Sequence, residues 1–254
     1  MRLSFHVHAR IPVPERLVLA GGRGRVDLAV RFGVLERPGR APVLIDAGWP
    51  DRAPRESAAL RIYRALLRPR IDEGRAPLAV LDGRAPAAVI LSHLHADHVG
   101  AVRGLSGVPV HGPARALAHA RHHPWRALRH GLMAELLPDA VEDLEGNQPL
   151  PFGLGRGRDV LGDGSVLSLP LPGHAEGHSG LLFPAFDPPV LYAADVQWVW
   201  PAIAEDRPPR GPARAIYADA RAAMESLARV RAFAAAGGRV VLCHDPAPVP
   251  DFTA

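Results

Sequence analysis

Residues 92–100 read Ser-His-Leu-His-Ala-Asp-His-Val-Gly, so His93, His95, Asp97 and His98 place three imidazoles and a carboxylate within six positions. Imidazole nitrogens suit zinc and other borderline divalent metals, and a carboxylate adds a negative charge able to hold a second ion. The apolar run Ala87-Ala88-Val89-Ile90-Leu91, bounded by Pro86, predicts a buried strand just before them. Val99-Gly100-Ala101-Val102, just after, is expected to open a helix. The four polar side chains therefore fall in a turn, where neighbours are not forced onto opposite faces and can converge. A histidine-rich surface turn would account for a single His but accounts poorly for this spacing.

Later stretches end in similar chemistry. A strand running through Leu169-Pro170-Leu171 delivers Pro172-Gly173-His174, and Val190-Leu191-Tyr192-Ala193-Ala194 delivers Asp195. Arg239-Val240-Val241-Leu242-Cys243 delivers His244. A carboxylate buried at a strand end needs compensation, which a metal supplies. His178, four residues after His174, reads as a group that hydrogen-bonds within its loop. Earlier, Pro42-Val43-Leu44-Ile45 runs into Asp46-Ala47-Gly48, where the Asp can serve simply as a turn former.

Taken together these residues resemble the metallo-beta-lactamase superfamily of hydrolases, over roughly residues 43 to 246. The resemblance implies an α/β fold, the four-layer αββα sandwich, with two mixed β-sheets flanked by helices and the site along one edge. It gives His93, His95 and His174 to a first metal, Asp97, His98 and His244 to a second, and Asp195 as the bridge. Asp97 and Asp195 are the catalytic carboxylates of this reading, and Asp46 supports the ligands from behind. The cofactor is two divalent metal ions, zinc first, with iron, manganese or cobalt able to occupy the same shell. Two ions about 3.5–4 Å apart share a water and lower its pKa to near neutrality, giving a hydroxide nucleophile for ester, lactone, thioester, amide or phosphodiester cleavage. His95 stands where the flavodiiron branch carries a Glu, which argues against redox chemistry.

The Pro-Gly-His-x-x-Gly-His run, His244-Asp245 and the length look most like the lactonase branch, which opens N-acyl homoserine lactones. One position departs from it. That branch has a Tyr three residues after the bridging Asp, where this chain has Trp198, whose indole donates a hydrogen bond but is no general acid. Trp198, Tyr192 and Tyr217 are the substrate-pocket candidates. The alternatives are a thioesterase similar to glyoxalase II and a non-catalytic, metal-stabilised binding protein. The first is disfavoured because the sequence ends ten residues after His244, short of a cationic C-terminal region. The second is disfavoured because all seven ligands are present.

Composition sets the frame for these residues. The 254 residues, 48% hydrophobic, suit one domain spanning 1–254. No apolar run is long enough to span a bilayer, and the first residues lack a signal-peptide core, so a cytoplasmic protein is expected. Cys243 is the only cysteine, which excludes a cysteine-rich zinc site and leaves metals to His and carboxylate. Lysine is absent, and the 30 cationic residues are arginines scattered among Ala, Pro and Gly. They read as solvated surface, with neither nucleic acid nor membrane as partner. A small-molecule ester or lactone is the expected partner, and a homodimer is left open.

The elements that must position the site follow from pattern. Strands are expected over 16–20, 28–35 and 42–46, the last two separated by a Pro38-Gly39 turn, and a helix over 55–68 closed by Pro69. A strand at 108–111 precedes a helical stretch over 115–137, interrupted at Pro124. Its His119, His122, His123 and His130 belong to a solvated face. Residues 137–157 resemble an insertion over a site, and Gly162-Asp163-Gly164-Ser165 turns a hairpin within 159–171. Residues 198–212 read as a rim loop, and a helix from 218 ends at Gly237-Gly238.

Overall fold

The computed structural model describes residues 1–50 and 56–254, the side chains of 212, 213 and 216 excepted. In chain order the strands and helices begin with β1 (Arg2–Pro14), β2 (Arg25–Glu36), β3 (Val43–Ile45), α1 (Ala58–Leu67), β4 (Arg70–Ile71) and α2 (Pro77–Leu81). Next come β5 (Ala88–Ile90), β6 (Val110–Gly112), α3 (Ala114–His122), α4 (Pro124–Arg129) and β7 (Glu142–Asp143). The second half holds β8 (Gln148–Pro149), β9 (Arg156–Asp159), β10 (Leu167–Pro170), β11 (Ser179–Phe183) and β12 (Val190–Ala194). It closes with α5 (Trp200–Ala204), α6 (Ala220–Ala235), β13 (Arg239–Leu242) and β14 (Phe252–Thr253). The expected α/β class with two mixed sheets and helices is observed.

The chain forms two compact units. The first comprises Met1–Pro12, Ala29–Asp143 and Val249–Thr253, the second Val13–Leu28 and Leu144–Pro248 with Ala254. Most of the first unit's sheet has the order β14-β1-β2-β3-β5-β6-β7, with β4 added on β1. β2 and β3 run antiparallel, whereas β3, β5, β6 and β7 pair in parallel. The parallel strands are short and buried, as their unbroken Val-Leu-Ile and Ala-Val-Ile runs require. Register places Ile45 beside Ile90, so Asp46 and the residues after Leu91 leave the sheet at the same end. The core beneath them includes Leu44, Val89, Leu91, Leu94 and Val99.

The second unit's sheet has the order β13-β12-β11-β10-β9-β8 and is antiparallel except for the β12–β13 pair. The expected hairpin is present, with Leu167 opposite Asp159. Asp159 itself closes the turn by accepting the backbone N–H groups of Gly162 and Gly164. α6 buries Ala223, Leu227, Val230 and Phe233, one face at helical spacing, into a core with Leu169, Leu171, Leu191 and Leu242.

Several element expectations are corrected. Residues 16–20 are not a strand: a 3-10 turn at Glu15–Leu17 leads into bends. The Glu15 side chain takes the N–H groups of Arg23 and Gly24, and its backbone N–H donates to Gly24, closing a loop there. Helix α1 begins at Ala58, capped by the Ser57 hydroxyl, and Arg55 lies outside the described residues. It ends where Arg68 turns left-handed at φ 48°, before Pro69. The stretch expected as helix to 137 stops at Arg129, because Gly131 adopts φ +80°. Val99 to Ala101 form a turn rather than a helix start, followed by a 3-10 turn at Val102–Gly104. The expected 198–212 loop contains α5.

Candidate metal centre

In the first unit, apolar residues are interspersed among the polar ones through 92–100. Leu94 and Val99 are buried in the core and Ala96 packs with Leu60 and Met133, so the loop is pinned by its apolar side chains. The polar ones are free to face one another. His93 Nε2 lies 3.0 Å from His95 Nδ1, with ring centroids 4.5 Å apart, and the His93 and His98 rings are 4.0 Å apart. Two zinc-bound nitrogens at roughly 2.0–2.1 Å would stand about 3.3 Å from each other, so the His93–His95 spacing fits a shared ion. Asp97 is buried in the same turn, which the His98 N–H to His95 carbonyl bond closes.

Asp46 organises this half-site. One oxygen accepts the Ser92 backbone N–H at 2.7 Å; the other accepts the Ser92 hydroxyl at 2.8 Å and faces His98 Nδ1 at 2.8 Å. An ionised carboxylate calls for the proton on Nδ1, and that leaves Nε2 as the His98 donor atom. Asp46 adopts φ 55°, and its loop is laced to the motif. Ala47 N–H donates to His98, Gly100 N–H to Gly48 and Ala101 N–H to Ala47. The approach is close enough that a Cβ on Gly100 would lie 2.3 Å from the Trp49 carbonyl carbon.

In the second unit, Asp195, His174 and His244 converge. Asp195 Oδ2 lies 3.0 Å from His244 Nε2 and 3.4 Å from His174 Nε2, and all three side chains are buried. Each arrives differently. Gly173, at φ +129°, lies so close to α6 that a Cβ would sit 2.2 Å from the Ala223 nitrogen. Asp219 N–H donates to the Gly173 carbonyl and Ser226 Oγ to the Pro172 carbonyl, tying the His174 loop to that helix. Asp195 follows a register shift between β12 and β13 and a left-handed Ala194 at φ 46°, an irregularity that re-aims the side chain. His244 lies two residues beyond the end of β13, after Cys243.

The His178 ring makes the hydrogen bond expected within its loop and a second one beyond it. Its Nδ1 bonds the Leu171 carbonyl at 2.7 Å and its Nε2 accepts the Asp195 backbone N–H at 3.1 Å. Beyond the expected bond within its loop, it therefore holds the main chain of Asp195. Cys243 was not among the sequence-derived donors, yet its sulfur lies within 4.8 Å of the ligand atoms of Asp195 and His244. A single cysteine next to a strand-end His carries no spacing signal, so only the fold brings it there. Asp245 accepts the Trp200 N–H, at the first turn of α5, and the Ala247 N–H at 2.8 Å.

The other candidates fall elsewhere. Trp198 donates its indole N–H to Asp195 Oδ2 at 3.2 Å. Tyr192 is fully buried within β12. The Tyr217 hydroxyl pairs with the Gln197 side chain amide, and burial pushes its pKa up. His122, His123 and His130 are exposed, and His119 meets His123 edge to face at 4.9 Å. Among the described residues none of these four joins a metal-holding cluster. No helix among them is long and apolar enough to cross a membrane.

A family model described as the metallo-beta-lactamase superfamily matches residues 27–236. The fold is similar to that of a quorum-quenching N-acyl homoserine lactone lactonase, with a TM-score of 0.70 at 22% identity, covering 96% of this chain and 92% of that one. It is also similar to AidC, described as a dizinc quorum-quenching lactonase, with a TM-score of 0.64 at 15% identity, covering 97% and 88%. A probable metal-dependent hydrolase from Staphylococcus aureus gives 0.68 at 13% identity over 96% and 88%. No curated protein sequence matches significantly.

Proposed function

The chain belongs to the metallo-beta-lactamase superfamily of hydrolases, and from that premise we propose that it is a dinuclear, zinc-dependent hydrolase opening a lactone or carboxylic ester, N-acyl homoserine lactones foremost. The observation that carries this reading is the convergence of buried and half-buried imidazole and carboxylate atoms in each unit. His93 Nε2 and His95 Nδ1 stand 3.0 Å apart in one, and Asp195 Oδ2 lies beside His174 and His244 in the other.

In this reading His93, His95 and His174 would hold one metal and Asp97, His98 and His244 the other, with Asp195 as the ligand common to both. When bound, such ions lower the pKa of water to near neutrality and polarise a carbonyl. The protein's own part is to hold the donors still. Asp46 fixes the His98 tautomer, and His178 fixes the main chain at Asp195. Asp97 and Asp195 supply negative charge against the cations, so that neither buried carboxylate is left uncompensated.

One observation favours a thioester as the second reading. The Trp198 N–H is engaged with Asp195 and the Tyr217 hydroxyl with Gln197, so neither group is directed at a leaving oxygen. A thiolate departs without being handed a proton.

The test is proton release from a medium-chain N-acyl homoserine lactone by zinc-loaded protein, with a chelated control and a parallel thioester assay. Metal-dependent lactone turnover is the expected result. Turnover of the thioester alone moves the protein to the thioesterases, and turnover that survives chelation overturns the metal mechanism.

A further inference from the structure

Trp198 touches three of the residues assigned to the metals. Its Nε1 lies 3.2 Å from Asp195 Oδ2, the same oxygen that faces His174 and His244. Its ring stands edge-on to His174 at 6.2 Å and to His244 at 6.1 Å. An indole nitrogen can only donate, so the direction of this bond is unambiguous, and the donor is spent on the carboxylate rather than on a substrate.

The backbone explains why one side chain can do this. The Asp195 main chain is fixed by His178, and its carboxylate oxygen Oδ2 faces His174, His244 and the Trp198 N–H. The Val196 N–H to Ala193 carbonyl bond tightens the turn after β12 and brings residue 198 back over residue 195.

We propose that Trp198 is a positioning residue, whose N–H holds the Asp195 carboxylate in the orientation that presents it between His174 and His244. The inference rests on the two-metal reading above. Outer groups that orient a ligand typically change metal affinity or activity about 10- to 100-fold when removed.

The experiment replaces Trp198 with benzothienylalanine, which keeps the ring's shape and lacks the N–H, beside the simpler Trp198→Phe variant. Zinc affinity is measured by competition with a chromophoric chelator, and the cobalt-substituted proteins are compared by visible absorption. Chelated samples are melted to check the fold. Both variants are expected to bind zinc about 10- to 100-fold more weakly, with shifted cobalt bands and unaltered melting of the metal-free chain. Wild-type affinity and spectrum in the benzothienylalanine protein overturn the inference alone, whatever the Phe variant does. A wild-type chain that takes up no metal pair overturns the two-metal reading, and this inference with it.

Discussion

Asp46 Oδ2 lies 2.8 Å from His98 Nδ1, with both side chains fully buried. The same carboxylate takes two further hydrogen bonds from Ser92, so three donors depend on it. Asp46→Asn keeps the shape but replaces one acceptor oxygen with an NH2 group that faces donors. A loss of about 1–3 kcal/mol is expected in urea unfolding of the metal-free protein. Zinc affinity should fall about 10- to 100-fold, because His98 loses the partner that sets its tautomer. Wild-type zinc affinity in the variant would mean that Asp46 does not orient His98.

Gly100 marks where the metal-ligand turn meets the Asp46 loop. A Cβ there would lie 2.3 Å from the Trp49 carbonyl carbon and 2.4 Å from the Pro50 nitrogen, both backbone atoms that cannot step aside singly. Gly100→Ala is expected to cost about 1–3 kcal/mol and to weaken zinc binding, since relief of the clash pulls the two loops apart. Unaltered stability together with unaltered metal uptake would show that the loops tolerate separation.

Asp195 Oδ2 faces His174, His244 and the Trp198 N–H. Asp195→Asn removes the negative charge that faces His174 and His244, and it should lose both metal occupancy and turnover. Metal content by elemental analysis decides the matter, with activity as a second readout. A variant that retains two metals and full turnover would end its assignment as the bridge.

The parts of the molecule written in local pattern were legible from sequence. The run before His93, the hairpin around Asp163 and the amphipathic face of α6 each carry a period or a turn signal, and each is observed. The strand end before Asp195 was likewise readable, because an apolar run stops there at a polar residue, whereas β10 ends four residues before His174 and β13 two before His244. What was hidden depends on long-range geometry. Glu15 turns an apolar stretch at 16–20 into a loop by capturing N–H groups eight and nine residues away. Cys243 enters the neighbourhood of Asp195 only because β12 and β13 pair in parallel. The bond from Trp198 to Asp195 needs the left-handed Ala194 before it, which no residue type announces.

His6 gives the stability a pH dependence separate from the metals. It sits half-buried on β1, stacked on Phe32 at 5.3 Å and bonded to the Ser4 hydroxyl at 3.0 Å. Burial, with help from the charges of Arg75 and Arg2 and against those of Asp251 and Glu36, lowers its pKa below the ordinary 6.5. The unfolded chain therefore binds the proton first as pH falls. The stabilisation from keeping this ring neutral is fully present above about pH 6.5 and is lost as pH drops from there through the folded value. His6→Gln keeps a polar group near Ser4 and removes the titration. Urea unfolding of metal-free wild type and variant between about pH 7.5 and 5.5 should show the wild type losing stability more steeply below about 6.5. Parallel curves over that range would mean that His6 titrates alike in the folded and unfolded chain.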